Sequence, residues 1–351
     1  LARSRWRDAG YLARSLVTGR PFLIERDASA AMRAAIARLV GRQRFDAVHA
    51  DQLSMAQFAL DLPLPLRVLD EHNAVWTIVR RAAAGLAPGP RRLMVELEWR
   101  KLRAYEGRLC GKFDAVTVVS EQDRQDLAEA AGSEIDPLVI PIAVDAEGLA
   151  FAPRTAEARH VVSVATMFYP PNVEAVHWFA TEAFPAVRRA RPGVEFRVVG
   201  SRPPARIAEL ARPDSGVVVT GYVPDLQPIL RQAAVMVVPL LSGSGMRVKI
   251  LEAFARGIPV VSTTIGVEGI DAEPGRHLLV ADRPADFAAA VLRLLDDPAE
   301  AARLASAARR LLEERYDWRS ALRGLDRLYG AGPLAPPGAA PSPVRALEVG
   351  G

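Results

Sequence analysis

Residues 236–264, MVVPLLSGSGMRVKILEAFARGIPVVSTT, constrain the fold more tightly than any other part of the chain. The apolar run 236–240 reads as a buried strand, and Ser242, Gly243, Ser244 and Gly245 read as a small-residue loop. The spacing predicts a helix over 246–256, which Gly257 stops, and a second strand over 258–263. A glycine-rich loop feeding a helix leaves several backbone N–H groups unpaired beside the positive end of the helix dipole. Arg247 and Lys249 add full charge in the first turn, where a helix left to itself favours acids. Glu252, one turn on, supplies a carboxylate that accepts bonds from hydroxyls. Donors and cations for a diphosphate, with an acid for a ribose, describe a nucleotide site. Loops of this kind also serve only to turn a chain, and Gly243 and Gly245 without a third glycine are a partial dinucleotide fingerprint. Lys249 shifts the balance. Only three of the 45 basic residues are lysines, and a compact ammonium suits a point contact with phosphate.

Short Val- and Ile-rich runs recur on both sides of this unit. In the first half, strands are expected at 47–50, 66–71 and 115–120, with helices at 28–41, 90–110 and 121–131. In the second half, strands are expected at 161–166, 195–200, 217–220, 235–239, 259–263 and 277–280. The helices between them fall at 173–190, 226–232, 246–256, 284–295 and 298–316. Such alternation means an α/β fold with parallel sheets and crossover helices, which bind ligands at the carboxyl ends of their strands. We divide the chain into a first Rossmann-like domain (1–145), a linker (146–158), a second domain (159–316), a closing helical piece (317–330) and a Pro/Gly/Ala-rich disordered tail (331–351).

The 351 residues suffice for two cores. A single cysteine, Cys110, and the lack of a secretory leader or a long apolar run point to a reducing, cytoplasmic setting. The chain opens on Leu in mid-pattern, which suggests that the natural N-terminus lies upstream. Net charge is +4, but the arginines are spread over every helix and aromatics make up 6%, a pattern that argues against nucleic acid.

The segments VSVATMFYPPNVEAVHWFATEAFPAV, VEFRVVGS, VVVTGYVPDLQPIL and GSGMRVKILEAFARGIPVVST resemble the donor half of a family 4 glycosyltransferase, built on the two-Rossmann GT-B fold. LDEHNAVW and YEGRLCGKFDAVTVVSEQDRQDL resemble its acceptor-domain segments, and RYDWRSAL its final crossover helix. Among its members the chain resembles polysaccharide-associated sugar transferases. It implies a retaining, metal-independent transfer from a nucleotide-diphosphate sugar to a saccharide or lipid-linked acceptor, with parallel sheets facing across a cleft and no cofactor. Residue by residue, Glu252 matches the second of two family glutamates and would hold the ribose. The first falls on Ser244, so that acid is absent. Arg247 and Lys249 stand where such members contact the diphosphate, Gly243, Ser244, Gly245 and Met246 form the donor loop, and His72 matches a histidine lining the reacting sugar. The usual Arg/Lys pair after the first donor strand is replaced by Tyr169 and Asn172, and the Asn-Gly before Val144 by Ile142 and Ala143. A catalytically silent nucleotide-sugar binder is the alternative that the missing acid favours.

Other candidates carry less. Asp70 and Glu71, adjacent on a strand, point to opposite faces and do not read as an acid/base pair. His49, His72, His160, His177 and His277 show no metal-ligand spacing. Ser120 and Glu121 read as a helix cap and first-turn acid that also line the cleft. Residues 90–110 carry Arg91, Arg92, Arg100, Lys101 and Arg103 with Leu93, Leu97 and Trp99, a pattern that fits peripheral contact with an anionic membrane and equally a solvated face over a core stripe.

Overall fold

The computed structural model describes residues 5–132, 135–152, 158–243 and 245–330. Two parallel sheets organise it, as the alternating pattern requires. The first runs in the order β1-β2-β3-β4, from β1 (Ala47–Asp51), β2 (Leu66–Glu71), β3 (Ala115–Val118) and β4 (Leu138–Val139). The second comprises β5 (His160–Val164), β6 (Glu195–Val199), β7 (Val217–Gly221), β8 (Ala233–Val238), β9 (Val260–Ser262) and β10 (Leu279–Val280). Its order, β10-β9-β8-β5-β6-β7, reverses direction between β5 and β8. That reversal is the switch point of a doubly wound sheet, where the crossovers diverge and leave a crevice beyond the strand ends.

Each face of the second sheet has its own core. On one, Phe179, Phe184, Phe196 and Phe287 pack with ring centroids 4.7 to 5.9 Å apart. On the other, Ile250, Leu251 and Phe254 of the Val248–Arg256 helix are fully buried. Burial of these three residues leaves Lys249 and Glu252, three apart, to share the opposite side of that helix.

Three sequence expectations needed correction. The single helix expected over 173–190 is Pro170–Trp178, a π turn at Phe179–Ala183, and Phe184–Ala190. Pro185 lacks the N–H an unbroken α-helix would use, and the wider turn just before it absorbs the misfit. The helix after the glycine loop begins at Val248 instead of Met246, with Arg247 at the N-cap. Gly243 (φ 113) and Gly245 (φ 83) hold left-handed conformations that keep the chain out of the helix until then.

The third correction concerns helices that the pattern did not reveal, among them Arg5–Thr18 and the two that flank the first-domain site, Leu53–Ala59 and Val75–Ala84. Neither of these two has a local side-chain cap. Glu106, fully buried on the Pro90–Cys110 helix, accepts from the Val75 N–H (2.7 Å) and the Trp76 N–H (2.8 Å). Glu71, buried on β2, accepts from the Leu53 backbone. Burial pushes both carboxyls above their ordinary range, Glu106 to about 8.

The segment after Tyr316 forms two short helices, Trp318–Ala321 and Arg323–Tyr329, that return to the first sheet. Asp317 bridges to Val144, Gly324 packs against Ile140 and Leu138, and the Tyr329 hydroxyl meets His49 Nδ1 at 2.5 Å. The tail 331–351 and residues 153–157 of the linker lie outside the described residues.

Glu106→Gln would turn an amide donor toward one of the two N–H groups that start the Val75–Ala84 helix. We expect a loss of about 1–3 kcal/mol in urea unfolding, since a buried donor loses its acceptor. A loss below about 0.5 kcal/mol would show that the helix start does not depend on this carboxyl.

Candidate functional site

Both loops at the switch point converge on Lys249. The β5 loop passes into Pro170–Trp178, whose Asn172 is buried and donates through Nδ2 to the Thr166 carbonyl at 3.0 Å. That bond fixes the amide so that its oxygen accepts from Lys249 Nζ at 3.3 Å. Among the described residues Lys249 forms no ion pair. Burial, and then the neighbouring Arg247 guanidinium, lower Lys249 from its ordinary value to about 8. Burial also lowers Arg247, against the pull of Tyr169 and Glu268. Arg247 donates to the Gly245 carbonyl, which folds its guanidinium back over the loop. No side chain caps the Val248–Arg256 helix, so its first N–H groups remain for a ligand.

Among the described residues Glu252 makes no hydrogen bond or ion pair, and its carboxylate stands free on the Lys249 side. Met246 departs from its expected place in the donor loop. Its side chain is in the core, 8% exposed, because the chain turns inward before the helix starts, and only its backbone is left for a ligand. Ser244 lies outside the described residues. Tyr169 and Asn172, which replace the family's basic pair, both line the loop. The Tyr169 hydroxyl lies 3.5 Å from where a Cβ on Gly243 would be.

The first domain brings a second cluster to the carboxyl ends of β1 and β2. Asp51 and Asp70 are register partners there, and His72 follows β2. His72 Nε2 lies 3.0 Å from Asp51 and 3.5 Å from Asp70. Asp70 also accepts from Thr117 (2.7 Å) and meets His49 Nε2 at 3.3 Å. The ligand atoms of Asp51, Asp70 and His72 all lie within 4.8 Å of one another, a grouping that sequence spacing did not show because it joins two strands. Thr117 and His49 also engage Asp70, so the acids and both histidines form one polar network. Glu71 points the other way into the core, as strand alternation requires.

The two halves touch across the loop. Asn73, next to His72, packs so closely on Gly245 that a Cβ there would lie 2.5 Å from its Oδ1. Arg81 makes a two-pronged pair with Glu268 (2.7 and 2.5 Å), and its Nη1 lies 3.5 Å from the Gly243 carbonyl. Nothing in the sequence pattern pointed to Arg81 and Glu268. Ser120 caps the Glu121–Ala131 helix by accepting from the Asp123 N–H at 3.1 Å. With Glu121 it also lines a cavity of about 570 Å³ between the halves, beside Tyr316 and Arg327.

Residues 158–297 match the family described as "Glycosyl transferases group 1". The second domain of this chain is a group 1 glycosyltransferase domain. The chain is 30% identical over 238 residues to the phosphatidyl-myo-inositol mannosyltransferase of Mycolicibacterium smegmatis, covering 65% of this chain and 59% of that protein. The fold is GT-B. Sucrose-phosphate synthase from Thermosynechococcus elongatus superposes with a TM-score of 0.65 at 19% identity, covering 85% of this chain and 76% of that one. Anabaena HepE, solved in complex with UDP-glucose, gives 0.62 at 16% identity, covering 85% and 80%. The chain spans 42 to 59% of the length of the first curated relatives it matches.

The lowered lysine generates a pH prediction. A diphosphate would hold Lys249 protonated, so binding takes up a proton wherever the free site has lost one. We expect nucleoside diphosphate affinity to be flat below about pH 8 and to fall up to tenfold per pH unit above it. Isothermal titration at pH 7 and 9 measures this. Equal affinity at both, or the same fall in Lys249→Ala, would remove the lysine from the phosphate contact.

Proposed function

We propose that this chain is a retaining glycosyltransferase that moves a sugar from a nucleotide-diphosphate sugar to a saccharide or lipid-linked acceptor without a metal at the diphosphate. The observation that carries this reading is the half-buried Lys249, which has no ion pair among the described residues, beside Arg247 at an uncapped helix start on the switch point. Positive charge held out of water without an acidic partner is costly unless an anion completes it. The mannosyltransferase relative and the UDP-glucose complex of Anabaena HepE support a sugar nucleotide as that anion.

In the mechanism, Glu252 accepts from the ribose hydroxyls and Gly243, Gly245 and the first helical N–H groups receive the diphosphate. As the glycosidic bond breaks, negative charge grows on the leaving phosphate, and Arg247 and Lys249 meet it already in place. His72, steadied by Asp51 and Asp70, lies beside the reacting sugar and the acceptor hydroxyl. The Arg81–Glu268 pair draws the halves together over the donor and excludes water.

No helix among the described residues is long and apolar enough to cross a membrane. We place the protein in the cytoplasm, in peripheral contact with the inner face of the plasma membrane, through Leu93, Met94 and Leu97, which are 62, 54 and 49% exposed beside Arg91. Trp99 does not belong to that face, because it packs against Trp76.

A silent sugar-nucleotide binder is the second reading, favoured by Ser244 in place of the first family glutamate. Incubation with radiolabelled UDP-, GDP- and ADP-sugars separates the two. A transferase slowly releases free sugar, whereas a donor that stays bound and intact under every condition would establish the binder. Steady-state kinetics then divides the roles. Lys249→Ala is expected to lower kcat by roughly 10², and Lys249→Arg to recover only part. Glu252→Gln should mainly raise the donor KM, because the ribose contact changes little on the way to the transition state. An unchanged kcat in Lys249→Ala would remove the lysine from the transition-state contact.

A further inference from the structure

A second basic site lies at the opposite edge of the first sheet. A cavity of about 500 Å³ is lined there by Arg20, Arg33, Arg108 and Lys112, with Gln57 and Tyr105. Its lining holds one acid, Asp61, against those four cations. Asp61 precedes β2 and Lys112 precedes β3, so the cavity opens at the amino ends of the strands. His72 and the Gly243–Lys249 segment lie at carboxyl ends. The two sites are therefore separate.

Gln57 builds the wall. It is 5% exposed, and its Nε2 donates to the carbonyls of Ser54 (3.0 Å) and Ile24 (3.3 Å), which fixes the amide. Its Oε1 then accepts from two guanidiniums at once, Arg33 Nη2 at 3.2 Å and Arg20 Nη2 at 3.4 Å. Arg33 Nη1 is held further by the Gln57 carbonyl at 2.9 Å. Two like charges converging on one neutral oxygen repel each other. Glu25 answers Arg20 at 3.5 Å, but among the described residues Arg33, Arg108 and Lys112 form no ion pair. Arg108 donates only to the Ala104 carbonyl of its own helix. Rigid, forked donors with unmatched charge suit a phosphate group, which can accept from two guanidiniums together.

We propose that this cavity binds a phosphate-bearing small anion, either a soluble phosphate ester or the headgroup of an anionic lipid. Thr18 at the rim follows Leu16 and Val17, which are 66 and 87% exposed and give an apolar approach that a lipid would use. The site is independent of sugar transfer and stands whether or not the donor reading holds.

The test uses inorganic pyrophosphate on the Lys249→Ala protein, which weakens the donor loop, and reads the part of the binding that the second-site variants remove. Saturable binding is expected, with a Kd below about 1 mM at low salt. It should weaken at least about tenfold in Arg33→Gln/Lys112→Gln. Lys112→Gln alone, at an exposed position, should weaken it by about threefold or more with an unchanged melting temperature. A parallel arm measures co-flotation of the same proteins with phosphatidylglycerol and phosphatidylcholine vesicles. Pyrophosphate binding that the variants lose supports the soluble source. Phosphatidylglycerol-specific flotation that the variants lose supports the lipid. No saturable binding in either arm, or binding unchanged by Lys112→Gln and the double variant, overturns the proposal.

Discussion

Everything at the switch point depends on keeping Lys249 charged while it is taken out of water. The doubly wound order sets its position. β5 and β8 are neighbours whose crossovers diverge, so the loops after them face each other and the helix start lies between. Asn172 offers a single neutral acceptor, and Arg247 adds repulsion instead of relief. The sign of the cost follows from the lowered value. Below about pH 8 the lysine is charged in both folded and unfolded chains, and the fold bears the full penalty. As pH rises from about 8 toward the ordinary lysine value of 10.5, the folded chain sheds the proton first and the penalty is relieved. Isolated, the site destabilises the protein near neutrality. An anion reverses that, which couples ligand binding to stability at this position.

The loop that carries the charge is also where the halves meet. Gly245 has no room for a side chain because Asn73 occupies the space, and Asn73 is carried next to His72 by the end of β2. The contact that fixes the loop therefore fixes the distance from the donor side to His72. Arg81 reinforces it, and Glu106 positions Arg81 by starting the helix that holds it. At the other end, Asp317 bridges to Val144 and Tyr329 stacks on His49, which itself contacts Asp70. The last described helix thus touches the polar cluster around His72. A shift of one half against the other must move both ends of the cleft together.

Periodicity made the frame legible. The runs at 66–71, 90–110 and 121–131 match the observed elements residue for residue, because each carries its own signal: a β-rich run, Pro90 at a helix start, and Ser120 as a local cap. The helices at Leu53–Ala59 and Val75–Ala84 escaped because Glu71 and Glu106, far along the chain, do the work of a cap. The GT-B architecture came from the order of motifs, and the superpositions agree with it. The loop before the Val248–Arg256 helix was legible as a loop because Gly243 and Gly245 carry its left-handed turns. The network of Asp51, Asp70, His49 and His72 was not legible, since its members join two strands and acquire meaning only in register. Met246 carries a related lesson: spacing shows that a residue is in the loop, and only packing shows that its side chain turns into the core.

The loss of the first family glutamate at Ser244 is better read against this charge balance than as a missing catalyst. An acid in that loop would sit close to Arg247 and Lys249 and would partly neutralise them before any donor arrived. Among the described residues Lys249 has the neutral Asn172 oxygen as its hydrogen-bond partner and no ion pair. A site built for ground-state binding gains little from that, because a matched pair would hold the nucleotide at lower cost to the fold. A site that must meet charge developing on a departing diphosphate gains more, since preorganised positive charge acts most strongly where the developing charge is largest. In the transferase proposed above, the physical cost at Lys249 would serve turnover, with sugar recognition resting on the loop backbone and the His72 side of the cleft.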